Sequence, residues 1–191
     1  MNLIIKKVLG TLMLFSAVLV VGQNQFKADT ESSVVNWKGS KPTGEHYGTV
    51  KVKSGFFTVE NKNIIAGEFE IDMNSIVDLD MPADSESNAK LVGHLKSDDF
   101  FGVEKNPTAA LIFTKVEQNG KNAYKVNGDL TIKGITKQIV FDFSVYGNKA
   151  TTSLKVDRTK YDVRYGSTSF FDNLKDKAIY DEFDLIADLE F

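Results

Sequence analysis

The sequence predicts an all-β fold: an eight-stranded antiparallel β-barrel with one short α-helix at about 84–96. Three observations predict it. From Ser33 onward the dominant pattern is alternation of apolar and polar residues, the period of a half-buried strand. The runs are separated by turn signals too short for crossover connections, so neighbours in sequence pair antiparallel. One stretch alone breaks the period and carries helix signals.

The elements follow in order. Lys6 and Lys7 precede an almost unbroken apolar run from Val8 to Val21. That run is too short for a membrane span of roughly 20 residues and suits a signal-peptide core of about 7–15. Residues 1–22 are therefore expected to be a cleaved export signal, cut after Gly22, and 23–32 a short tether. Residues 33–191 read as a single domain, with no internal repeat or linker. Phe69, Ile71 and Met73 alternate with Glu68, Glu70 and Asp72, and the turn Asn61-Lys62-Asn63 precedes them. Asp84 or Ser85 can cap a helix that places Leu91, Val92 and Leu95 on one face. Asn119-Gly120 predicts a hairpin between strands near 109–117 and 123–133. Tyr124, Val126, Leu130 and Ile132 continue the alternation. Gly134 and Gly147-Asn148 mark further turns, on either side of Ile139, Phe141, Phe143 and Val145. Phe183, Leu185, Ala187, Leu189 and Phe191 form the last run. Long single-faced strands must bury their apolar sides together, and a succession of hairpins favours a closed barrel over a sandwich.

Composition excludes several function classes. The absence of cysteine removes disulfides, thiolate metal sites and cysteine nucleophiles. The formal charge is −3, and removal of residues 1–22 leaves 21 basic against 26 acidic residues, a net −5, so no nucleic-acid partner is expected. No integral membrane span is expected after signal cleavage. Export without disulfides suggests a bacterial envelope protein.

The chemistry-bearing residues are few. The two histidines are His46 and His94, neither in a nucleophile-elbow context. His94 lies four residues before Asp98, and two such ligands do not complete a metal site. Asp78, Asp80, Asp84 and Glu86 fail as an EF-hand loop, because Pro82 and Ala83 stand at positions five and six, and they read as a solvated cluster at a helix N-terminus. The only arginines, Arg158 and Arg164, either bind an anionic group at a barrel mouth or pin the segment 158–178 onto Asp or Glu side chains, the second being favoured by the many carboxylates. Fourteen phenylalanines give a deep apolar interior, which composition leaves open between a solid core and a cavity.

His94-Leu95-Lys96-Ser97-Asp98-Asp99-Phe100-Phe101, followed by Asn106-Pro107-Thr108 and Phe113, resembles the central signature of the YceI-like family. Gly128-Asp129-Leu130-Thr131-Ile132-Lys133-Gly134-Ile135-Thr136-Lys137 is similar to its strand-and-turn motif, and Trp37, His46-Tyr47-Gly48 and Asp72-Met73-Asn74-Ser75-Ile76 also fit. Where the family often has an Arg-Ser-x-Phe-Gly stretch, this chain has Arg158-Thr159-Lys160-Tyr161-Asp162. The resemblance implies a lipocalin-like barrel with a helix beside its opening, an apolar tunnel holding a polyisoprenoid or isoprenoid-quinone lipid, no cofactor, and a periplasmic location. Expected tunnel walls are Phe69, Ile71, Val126, Leu130, Ile132, Phe141, Phe143, Leu154, Phe183 and Leu185. Trp37 and Phe101 are expected at the rim, and His94 and Arg158 at the headgroup. The competing readings are an enzyme acting on a lipid-like substrate, with His94 and a nearby Asp as acid–base pair, and a filled scaffold acting through its acidic surface.

Overall fold

A computed structural model describes residues 24–191. The expected export signal lies outside the described residues. The described chain forms nine strands and one α-helix: β1 (Asn24–Lys27), β2 (Val34–Lys41), β3 (Gly44–Glu60), β4 (Asn63–Asp78), α1 (Glu86–Lys96), β5 (Thr108–Gly120), β6 (Ala123–Ile132), β7 (Ile135–Tyr146), β8 (Lys149–Asp157) and β9 (Glu182–Glu190). Every pairing is antiparallel, and β2 to β9 close into an eight-stranded barrel because β3 pairs with both β2 and β4. β1 is a ninth strand beyond the barrel count. It pairs Asn24–Lys27 with Val59–Phe56 of β3, so residues 24–27 of the segment read as a tether form a strand.

The long connections are confined to one end of the barrel. At one end lie two-residue turns, with Asn61 and Lys62 both at positive φ and Gly147 at φ 63°. At the other end lie the two long connections, 79–107 with α1 and 158–181 with a 3₁₀ turn at Arg158–Tyr161, beside the short turns 42–43 and 133–134. The strands β3 and β4 are the longest, and register shifts between Thr49 and Lys51, Val52 and Ser54, and Thr58 and Val59 let them coil around the barrel.

One turn departs from expectation. The strand β5 runs on through Gly120, and the β5–β6 turn is Lys121-Asn122 rather than Asn119-Gly120. Burial of Tyr124 and Val126 fixes the register of β6, and Asn122 takes the left-handed conformation (φ 62°) that the turn requires.

The helix begins one turn residue later than its earliest expected cap. Ser85 is the N-cap and accepts a hydrogen bond from Asn88 N at 3.1 Å. Leu95 is buried and Leu91 and Val92 are partly buried against the core, so the predicted face is the packed one.

Candidate functional site

The inward faces of the strands enclose a cavity of about 160 Å³ toward the end that carries α1. Nine of the ten expected wall residues border it: Phe69, Ile71, Leu130, Ile132, Phe141, Phe143, Leu154, Phe183 and Leu185. Val126, fully buried, does not border it and belongs to the packed end. Trp37, Phe101 and Arg158 border the cavity, and His94 does not. Sequence reasoning missed Val50, Val52, Met73, Phe113 and Leu189, which also line it. Val50 and Val52 alternate with Lys51 and Lys53, a period-two signal that marks them.

The floor of the cavity is aromatic. Phe57 lies against Phe69 (ring centroids 4.9 Å), Phe143 (5.1 Å) and Phe191 (5.1 Å), and Phe113 lies against Phe143 (5.7 Å). Gly55 leaves room for one of these rings: a Cβ there would stand 2.3 Å from the Phe69 ring.

The polar groups among the lining residues are turned away from the space. Thr152 donates its hydroxyl to Asp142 O at 2.7 Å, and Trp37 Nε1 donates to Val77 O at 3.1 Å. Arg158 is 2 % exposed. Its guanidinium donates to the carbonyls of Tyr180 (3.0 Å), Val163 (2.8 Å), Tyr165 (2.8 Å) and Ile179 (2.9 Å). Arg158 thus pins the segment as expected, but its hydrogen-bond partners are backbone oxygens and its one close carboxylate is an ion-pair partner only. Asp181 Oδ1 lies 3.6 Å from Arg158 Nη2, an ion pair without a hydrogen bond. With four of five N–H groups engaged, this side chain braces the mouth, and little of it is free for a headgroup. Burial lowers the Arg158 pKa, against the opposing charges of Asp181 and Asp157. Burial and the Asp157 carboxylate together push the neighbouring Tyr161 phenol up to about 12.

His94 stands on α1 with its ring 4.3 Å from that of Tyr165 and 5.7 Å from Phe100. Its Nε2 is buried without a hydrogen-bond partner.

The acidic cluster splits in two. Asp84 and Glu86 are exposed as expected, but Asp78 is only 4 % exposed and Asp80 is partly buried. Asp78 Oδ2 accepts from Met81 N and Asn88 Nδ2, both at 3.1 Å. Asp80 accepts from Tyr47 N at 3.1 Å and lies 3.0 Å from His46 Nδ1. Burial raises the Asp78 pKa, and the adjacent Asp80 carboxylate adds to it. Burial opposes ionisation of Asp80 as well, but the neighbouring Asp78 carboxyl, the Tyr47 N–H and His46 together hold its pKa below the ordinary value. The parity of β4 places Asp78 inward, two residues after buried Ile76, a signal present in the sequence.

An eight-stranded closed antiparallel barrel with an apolar interior cavity and, among the described residues, one α-helix is a barrel of the lipocalin-like kind. The chain belongs to the YceI-like domain family, whose model matches residues 26–191. It is 31% identical over 150 residues to a UPF0312 protein of Pseudomonas aeruginosa strain LESB58, covering 75% of this chain and 74% of that one. A UPF0312 protein of Pseudomonas putida strain W619 is 32% identical with the same coverage. The fold is similar to BcnA of Burkholderia cenocepacia (TM-score 0.63, 20% identity, 85% of this chain and 98% of that one). It is also similar to a polyisoprenoid binding domain from Saccharophagus degradans (TM-score 0.58, 13% identity, 88% and 97%).

Proposed function

We propose that the protein is an exported, non-catalytic binding protein that holds a polyisoprenoid or isoprenoid-quinone lipid in its barrel, for transport or storage. The observation that carries this reading is the cavity wall. It is built mainly of aliphatic and phenylalanine side chains, joined by Trp37, Thr152, Arg158 and Tyr180, with no carboxylate, lysine or histidine among the described residues that line it. The hydroxyl of Thr152, the indole N–H of Trp37 and the guanidinium of Arg158 are each engaged with backbone carbonyls. Such a wall offers burial, at about 25 cal/mol per Å² of apolar surface, and no directed hydrogen bond. It suits a hydrocarbon chain better than a polar substrate.

The volume also speaks to how the chain sits. A dry cavity of about 150 Å³ holds a benzene-sized group. The cavity of about 160 Å³ therefore accepts roughly one isoprene unit as it stands. A longer chain extends out through the mouth or displaces lining side chains. The mouth-end connections carry exposed Leu79, Tyr165, Phe170, Phe171 and Tyr180, and β3 carries exposed Tyr47, which give the emerging part of such a lipid an apolar surface. The expected leader at residues 1–22 supports a periplasmic location.

The test is an organic-solvent extract of the protein purified from its host, analysed by mass spectrometry. One prenyl lipid per barrel is the expected result. A Phe141→Asp variant, which puts a charge into the apolar wall, should fold and lose the lipid. Unchanged lipid retention in that folded variant would refute the assignment of the cavity.

A further inference from the structure

We propose that His46, Asp78 and Asp80 form a binding site for a divalent transition-metal cation of the zinc class at the barrel mouth. One donor atom from each residue lies within 4.8 Å of the other two. The residues come from opposite partners of one ladder: His46 opens β3, Asp78 ends β4, and Asp80 follows it. Pairing of Gly48 with Asp78 brings them together although 34 residues separate His46 from Asp80.

Asp78 is the observation that asks for a ligand. It is buried, yet its Oδ1 has no hydrogen-bond partner. Oδ2 is already held by Met81 N and Asn88 Nδ2, so the side chain is fixed in place with one free oxygen. Beside it stands a second carboxylate, Asp80, positioned by Tyr47 N. Two adjacent carboxylates with one oxygen unpaired in the interior are costly without a compensating charge. A divalent cation neutralises both.

The donor set selects the class of cation. Calcium and magnesium take oxygen ligands, six or more for calcium. An imidazole nitrogen with two carboxylates suits zinc and its first-row neighbours. Three protein donors are the number found in zinc sites that keep one position for solvent or another ligand. Asn88 connects Asp78 to α1, and its amide also donates to Met81 O at 3.1 Å, so the hydrogen bonds around the ligand are made by the element that flanks the cavity. A cation here would tie the β2–β3 hairpin to the β4–α1 connection and stiffen one side of the mouth.

Zinc chloride titrated into the purified protein by isothermal calorimetry tests this. The expected result is one equivalent bound, a raised melting temperature that EDTA reverses, and affinity at least about tenfold weaker in His46→Ala, Asp80→Asn and Asp78→Asn. His94→Ala should bind zinc as the parent does. His46 is partly exposed at the start of its strand, so His46→Ala tests the site even where Asp78→Asn fails to fold. Absence of a zinc isotherm, or binding that His46→Ala and Asp80→Asn leave unchanged, would overturn the proposal. So would a protein that ignores zinc while Asp78→Asn melts higher, because the two carboxylates would then be sharing a proton.

Discussion

The two ends of the barrel are built on opposite principles. The turn end is filled by rings: Phe57, fully buried, touches Phe69, Phe113, Phe143 and Phe191, and Val126 and Tyr124 close the remaining space. The mouth end is organised by polar atoms that hold long connections in position. Arg158 gathers four carbonyls of 163–180, and Lys133 Nζ donates to Asp98 O at 3.0 Å and Asp162 O at 3.1 Å, joining one mouth connection to the other. The comparison teaches where the cavity comes from. Side chains left to pack alone fill a narrow barrel, whereas backbone pinned by a buried cation can arch over a space without filling it.

The largest effect should come from the ring-filled end. Phe57→Ala removes a ring with four aromatic neighbours and is expected to cost about 3–5 kcal/mol, read by urea unfolding. A loss under about 1 kcal/mol would show that this end is loosely packed and the contrast false. Arg158→Met keeps the stem and deletes the donors. It should cost about 2–4 kcal/mol, less than the four carbonyls suggest singly, because the freed segment can open to water. Limited proteolysis should then cut within 162–181 while the turn end stays protected. Arg158→Lys should not rescue it, since a compact ammonium cannot reach carbonyls spread around a planar fork.

This division was only half legible in the sequence. Period two made the strands and nine of the ten wall positions readable, and its interruption after a Ser85 cap made α1 readable, because alternation and capping are local properties of the chain. Val126 shows the limit: its parity is that of a wall residue, but depth along the barrel, which decides between cavity and plug, has no sequence period. Arg158 shows another. Its partners are carbonyl oxygens, which every residue carries, so no side-chain pattern announces them. Asn119-Gly120 had the right chemistry for a turn and lost to the register of β5 and β6.

Tyr161 gives the mouth brace a pH signature. Its folded value, about 12, lies above its ordinary 10.0, and burial beside Asp157 is the cause. The neutral phenol is thus favoured by folding. The stabilisation is fully present below pH 10 and is lost as pH rises through the folded value. The expected loss relative to Tyr161→Phe is on the order of 2–3 kcal/mol at the top of that window, and none at neutral pH. Parallel alkaline unfolding curves for parent and variant would remove Tyr161 from the brace.

The smallest effect separates the helix from the brace it flanks. Ser85 Oγ accepts from Asn88 N, and Asn88 in turn donates to Asp78 and Met81 O. Ser85→Ala removes one cap bond and should cost about 1 kcal/mol. Asn88 keeps its own side-chain bonds, so the loss should stay within the first turn of α1 and leave Arg158 and its carbonyls undisturbed. Hydrogen exchange distinguishes the cases: faster exchange confined to the first residues of α1 is expected. Faster exchange spreading to 163–181 would mean that the cap and the arginine brace open together, and that the mouth is one cooperative unit rather than two.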